Sequence, residues 1–381
     1  MRKSLLVAFS LLLVVGLLVG CAAPAPTPAP TAAPKAAAAT AAPQPTAAPT
    51  AKPWKACFVY NSPIGDMGWV YAAEQGRQYV EKKLGIQTAY VENVPAGADA
   101  ERVFSQFAEQ GCDQIISTTN TYADAVDRVA PKYPKVLFES YEGFKGQPNL
   151  RVYRLAQSEA YYLLGVLAAK MTKNGQAGWV AGFPAPPYPS AAGAMIMGAR
   201  SVNPNFTLKI VFMNKWNDPP GEKQAAESLA AAGAGLLSNS MSSPTVIQAA
   251  ETAGLLSLGR TEQCKFGPKG CIASFIVGWG KIFEWQISTA RAGKFDTSTT
   301  FWANLSNDGV GFAELSPSVP ADVKQLLDDT KKKIASGELV YWKGPLKDNT
   351  GKERVPAGKV LTAEEVNLVD WFIDGVQTSA K

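Results

Sequence analysis

The chain has 381 residues, with 37 Lys and Arg against 32 Asp and Glu, a formal net charge of +5 and no histidine. The mild positive excess is spread along the chain, and its one short basic run, Lys331-Lys332-Lys333, reads as a solvated helix face rather than a nucleic-acid patch. Without histidine, Ser-His-Asp and Cys-His catalytic arrangements and His-ligated metal sites are excluded, and there is no Walker A loop, Gly-x-Ser-x-Gly elbow or Cys-x-x-Cys pair.

At the amino terminus Arg2 and Lys3 precede an apolar run, Leu5 to Leu18, that closes on Leu18-Val19-Gly20-Cys21. This is the pattern of a bacterial lipoprotein signal, with residues 1–20 removed and Cys21 lipidated. The run is too short for a permanent transmembrane helix. Two or more acyl chains on Cys21 would suffice to hold the protein at the outer face of a cell membrane. After the lipidated Cys21, the stretch to residue 53 is nearly all Ala, Pro and Thr. It buries too little apolar surface to fold, and proline stiffens it into a stalk. From Trp54 onward the chain is long enough for two domains with cores of their own.

Short apolar runs then alternate with helical periods. Ala56–Tyr60 reads as a strand, Val70–Leu84 as a helix, Ile86–Val91 as a strand and Ala98–Gln110 as a helix with Val103, Phe104, Phe107 and Ala108 inward. Strands at Gln114–Ser117 and Val136–Glu139 flank a helix around Ala123–Ala130. After Leu150–Leu155 the rhythm restarts: a helix at Glu159–Met171, a strand at Gly178–Ala181, a helix near Ala191–Val202 and a strand at Leu208–Phe212. A helix at Gly221–Ala232, a strand at Gly235–Leu237 and further α/β units to Leu258 follow. Gly278–Arg291 reads as a helix returning to the first half, and the tail carries helices at Ala321–Ala335 and Glu364–Val376. Such βαβα order implies parallel sheets covered on both faces. Two similar halves with a changeover near residue 155 imply two lobes and a cleft.

In open α/β sheets, ligands lie beyond the carboxyl ends of the strands. The first such loop is Tyr60-Asn61-Ser62-Pro63-Ile64-Gly65-Asp66-Met67-Gly68-Trp69. Asp66 offers either a carboxylate acceptor or a helix N-cap, and Trp69 either an aromatic plane or a core side chain. The loop lacks the glycine spacing and the Lys of a phosphate cradle. Cys264 and Cys271 flank a turn-rich loop that could bring them into a disulfide in an oxidising compartment. Cys57 and Cys112 would meet at one sheet edge if their strands are parallel neighbours. Two buried free thiols are the slightly favoured reading of that pair.

The segment "FVYNSPIGDMGWVYAAEQGRQYVEKKLG" resembles the first motif of the basic membrane protein (BMP) family of lipoproteins. The resemblance continues through "STTNTYADAV", "FESYEGF", "NLRVYRLAQSEAYYLLGVLAAKMTK", "GARSVNPNFTLKIVFMNKWNDPPGEKQAAESL" and "SSPTVIQAAETAG" to "GPLKDNTGKERVPAGKVLTAEEVNLVDWFIDGV", covering residues 55 to 376. It implies a type I periplasmic-binding-protein fold: two Rossmann-like lobes, each with a mostly parallel sheet, and a ligand cleft between them. Lobe 1 would take residues 54–155 with a chain return around 276–305, and lobe 2 residues 156–275 with the segments 306–381. The family supplies substrate-binding components of ABC transporters that typically capture purine nucleosides or bases.

Matched to the motifs, Asp66 would accept hydrogen bonds from the ligand and Trp69 would cover a base, with Thr119, Asn120 and Tyr122 supplying contacts beyond the third strand. Phe183 would stack on the opposite face of a planar ring. Trp216 and Trp279 either line the cleft or pack in a core. Departures are concentrated at Ser140, where relatives commonly carry His, near Ser242, where they carry an acid, at Pro187 and Ser190, and at "GRTEQC" around residue 261, which replaces an acidic pair. These changes bear on purine specificity and leave the binding role intact. The expectation is therefore a lipid-anchored, monomeric binding protein, not an enzyme, without cofactor, metal or nucleic acid. It would serve an ABC permease and its ATPase in import of a purine nucleoside, purine base or similar aromatic solute. A ligand sensor reporting to a membrane receptor, or an importer component for a non-purine solute, is the alternative.

Overall fold

In the computed structural model, residues 52–313 and 315–378 are described; Cys21 and the signal lie outside them. The first lobe opens with β1 (Lys55–Val59), α1 (Trp69–Leu84), β2 (Gln87–Val91), α2 (Ala98–Glu109), β3 (Gln114–Ser117), α3 (Ala123–Val129), β4 (Leu137–Tyr141) and β5 (Leu150–Leu155). The second follows with α4 (Gln157–Met171), β6 (Gln176–Ala181), α5 (Tyr188–Arg200), β7 (Thr207–Phe212), α6 (Pro219–Ala231), β8 (Leu236–Asn239), α7 (Thr245–Thr252), β9 (Leu256–Arg260) and β10 (Cys271–Val277). The chain then runs through α8 (Trp279–Arg291), β11 (Phe301–Ala303), β12 (Val310–Phe312), α9 (Ala321–Ala335), β13 (Leu346–Lys347), β14 (Glu353–Val355), α10 (Ala363–Asn367) and β15 (Val376–Thr378).

Two large sheets result. One has the order β11-β5-β4-β3-β1-β2 and the other β12-β10-β9-β8-β6-β7-β15. The first is parallel throughout, and the second is parallel except where β12 pairs antiparallel with β10. Central strands such as β1 and β8 are buried almost throughout because helices cover both sheet faces. The chain crosses between the sheets after β5, β10 and β11. On the first return α8 lies against α1, with Phe283 edge-on to Phe58 at 5.0 Å. Helix α4 is buried along most of its length and packs so closely on α5 that a Cβ on Gly165 would meet the Met195 carbonyl oxygen at 2.0 Å.

Helix ends follow their local chemistry. α1 finishes with Lys82 and Lys83 in its last turn and Gly85 at φ 58°, which favours the negative helix end and the left-handed cap. α2 begins with Asp99 and Glu101 and buries Val103, Phe104 and Phe107.

The tail departs from expectation. Glu364–Val376 is not one helix: a capping box of Thr362 and Glu365 starts α10, which stops at Asn367. Gly375 has φ 93°, which no helix accommodates, and Val376–Thr378 joins the sheet edge beside β7. The strand contact outweighs helical periodicity there. Both cysteine pairs are bonded. The favoured pair of free thiols at Cys57 and Cys112 is corrected because β1 and β3 are parallel neighbours, which brings the two Cα atoms to 6.1 Å. Among the described residues, no helix is long and apolar enough to cross a membrane.

Candidate functional site

Loops from the carboxyl ends of β1, β3 and β4 face those beyond β6, β7, β8 and β9 across a cavity of about 340 Å³. This size and position suit a small-molecule site. From the first lobe it is lined by Asn61, Ser62, Asp66, Trp69, Thr119 and Asn120, and from the second by Phe183, Trp216, Ser242 and Arg260. Left-handed backbone at Glu142 (φ 54°), Asn214 (φ 53°) and Thr261 (φ 53°), each just past a strand end, re-aims the chain around this space.

Asp66 serves the backbone first. Its carboxylate accepts from the amides of Gly68 at 2.8 Å, Val70 at 3.2 Å and Tyr71 at 2.9 Å, so it caps α1 while lining the cavity. Burial raises its pKa above the ordinary value, against those amides and the Arg260 charge, which lower it. Trp69 is held by its indole N–H, which donates to the Thr118 carbonyl at 2.7 Å, with Tyr141 tilted against it at 5.5 Å. In the facing lobe Trp216 lies 5.1 Å from Phe183 and 5.6 Å from Tyr188. The cleft therefore has aromatic surfaces on both sides, interleaved with polar side chains such as Asn61, Thr119, Asn120, Ser242 and Arg260.

Tyr122, Ser140 and Trp279, singled out from sequence, do not line this cavity. Tyr122 turns inward on a single 3-10 turn, packs edge-on to Phe104 at 5.7 Å and donates its hydroxyl to the Val94 carbonyl at 2.6 Å. Ser140 is buried within β4, while the next two residues, Tyr141 and Glu142, line the cavity instead. Trp279 is core: it stands edge-on behind Trp69 at 5.1 Å and stacks on Phe283 at 5.2 Å.

Sequence reasoning missed Tyr141, Glu142, Gln157, Tyr188 and Arg260 as lining residues. Glu142 stood in the "FESYEGF" motif and Arg260 in "GRTEQC", so both lay in segments already marked. Burial raises the Glu142 carboxyl to about 7, although Asn367 and Arg154 hold one of its oxygens. The lobes also touch: Thr261 Oγ1 donates to the Met67 carbonyl at 3.0 Å, and Tyr71 donates its hydroxyl to Glu262 at 2.8 Å.

A pair of α/β lobes with an aromatic cleft between them defines a solute-binding protein. Residues 54–341 match the family of PnrA-like ABC transporter substrate-binding proteins, Bmp, and the chain belongs to it. It is 32% identical over 327 residues to a purine-binding protein of Brucella abortus, covering 84% of this chain and 92% of that protein. It is 34% identical over 291 residues to a provisionally named ABC transporter glucose-binding protein of Haloferax volcanii, covering 76% of this chain and 74% of the relative. Its fold is similar to the solved structure of an ABC transporter solute-binding protein from Conexibacter woesei, with a TM-score of 0.66 at 21% identity over 75% of this chain and 97% of that one. The family is one of binding proteins, not enzymes.

Proposed function

We propose that the chain is a lipid-anchored, extracytoplasmic receptor that captures a purine base, purine nucleoside or similar planar solute by closing its lobes, then presents it to an ABC permease. The observation that carries this reading is the pairing of Trp69 in one lobe with Phe183 and Trp216 in the other around one cavity. Opposed aromatic faces gain most from a flat heterocycle, and a ligand that touches both lobes favours the closed state over the open one. The purine-binding relative supports the solute class, and the Leu18-Val19-Gly20-Cys21 pattern supports the anchor. Thr119, Asn120 and Ser242 would supply the polar contacts.

Thermal unfolding of the ligand-stripped protein against purine bases, nucleosides, pyrimidines, flavins, sugars and amino acids tests this. A solute at about a hundred times its Kd adds roughly 2.7 kcal/mol, and Trp69→Ala should cost roughly 1–3 kcal/mol of binding if stacking holds. A response to glucose alone, unchanged by Trp69→Ala, would overturn the planar-solute reading. Labelling of Cys21 by a radioactive fatty acid, abolished by Cys21→Ala, tests the anchor.

A further inference from the structure

Arg260 is the last residue of β9, only 6% exposed, and it lines the cleft. A guanidinium carries five N–H donors and no acceptor, and it stays charged. Here only Nη1 is engaged, by the Tyr188 hydroxyl at 3.3 Å and the Ser240 carbonyl at 3.2 Å. Among the described residues, Nε and Nη2 have no hydrogen-bond partner and no carboxylate forms an ion pair with this side chain. Neither carboxylate that shares the cavity pairs with it: Asp66 accepts from the amides of α1, and Glu142 accepts through Oε2 alone from Arg154 and Asn367.

The group is also held in place. Its backbone amide donates to Gln263 Oε1 at 2.9 Å, and the Gln263 amide nitrogen donates in turn to the Met241 carbonyl at 3.0 Å. The Cys264–Cys271 bridge ties down the loop that follows. The guanidinium carbon lies 4.9 Å from the centre of the Trp69 ring and 5.7 Å from that of Phe275. Its free donors are thus fixed beside the indole that would cover a planar cargo. Lobe closure expels water from such a site, and donors that lose water need acceptors.

We propose that Arg260 determines specificity by donating to an oxygen on the edge of the cargo, a ring carbonyl or an anionic oxygen, so that the protein takes oxo-substituted heterocycles in preference to their amino-substituted counterparts. This rests on the planar-solute reading above. Two coplanar oxygens, or an oxygen beside a ring nitrogen, meet Nε and Nη2 together, which is the strong arrangement for guanidinium. An exocyclic amino group at the same place would set donor against donor in a dry site. From the other lobe Glu142 brings Oε1, buried without a partner, which accepts whenever the carboxylate is ionised. A ring carbonyl adjacent to a ring N–H would satisfy both residues.

The test is calorimetric titration of the full-length protein, purified in detergent and stripped of carried-over ligand, with adenine, hypoxanthine, xanthine, uracil and benzoate. Hypoxanthine or xanthine should bind roughly 100-fold tighter than adenine. Arg260→Gln should abolish that preference, and Arg260→Lys, which keeps the charge but not the fork, should retain only part of it. Thermal unfolding of each variant separates loss of binding from loss of fold. If Arg260→Gln does not fold, wild-type discrimination and the Arg260→Lys value decide the question. Adenine binding as tightly as hypoxanthine overturns this inference and leaves the purine reading standing. Uracil or benzoate binding that is lost in Arg260→Gln, with no purine bound, upholds the inference and overturns the purine reading. Failure of every oxygen-bearing probe to bind overturns the inference.

Discussion

The hydroxyl of Tyr71, in the first turn of α1, donates to the Glu262 carboxylate beyond β9 at 2.8 Å, joining the two lobes at the rim of the cleft. Lys265 holds the same carboxylate at 2.6 Å from within its own lobe. The bond exists only while the lobes are together, so it stabilises the closed state selectively. Tyr71→Phe removes it and is expected to weaken ligand binding by about 0.5–1.5 kcal/mol, a factor of roughly 2 to 10, with the unliganded melting temperature unchanged. Calorimetric titration with the solute found by the binding screen checks this. An unaltered Kd would mean that the contact does not bias closure.

Gly68 sits close against the facing lobe. A Cβ there would meet the Ser242 Cα at 2.9 Å and its carbonyl oxygen at 3.2 Å. Because these are backbone atoms, the neighbour cannot rotate away, and Gly68→Ala should keep the lobes apart. The expected cost to affinity is about 1–3 kcal/mol, with a larger radius of gyration for the liganded protein by X-ray scattering. Compact, tight-binding Gly68→Ala protein would show that the loops shift freely.

The two disulfides differ in the loops they close, with sequence separations of 55 for Cys57–Cys112 and 7 for Cys264–Cys271. On the chain-entropy account the longer is worth about 4 kcal/mol and the shorter about 2. Replacing Cys57 and Cys112 by Ala should therefore lower the urea midpoint more than the same change at Cys264 and Cys271. The reverse order in equilibrium unfolding would overturn this ranking.

Glu142 gives stability a pH signature. Burial, acting against Asn367 and Arg154, raises its carboxyl from 4.5 to about 7. Between these values the folded state holds a proton that the unfolded chain has released. The contribution is therefore complete below about pH 4.5 and is lost as pH rises towards about 7. Urea midpoints of wild type and Glu142→Gln across this window test the assignment. The wild type should lose stability with rising pH relative to the variant, and parallel curves would contradict it.

Much of the fold was legible because burial repeats locally. Gln114–Ser117 was read to the residue, since a parallel strand under two helical layers is buried on both faces and centres here on Ile115 and Ile116. The Glu364–Val376 segment failed the same test, because its end is set by a sheet edge formed by a strand far away in sequence. The cleft was less legible than the fold. The loops at its edge were recognisable by their position after strands, but Tyr122, Ser140 and Trp279 needed coordinates to be assigned to the interior.

The sequence by itself determined the alternation of strands and helices and the doubling into two halves, which are written in contiguous residues. Only the tertiary structure decided which side chains meet. It set Trp69 against Arg260, put Trp279 behind that indole instead of in the cleft, and joined Cys57 to Cys112. Residues on separate loops acquire a common surface only when crossovers and pleat fix where each strand ends and which way its last side chain points. No local periodicity encodes that relation.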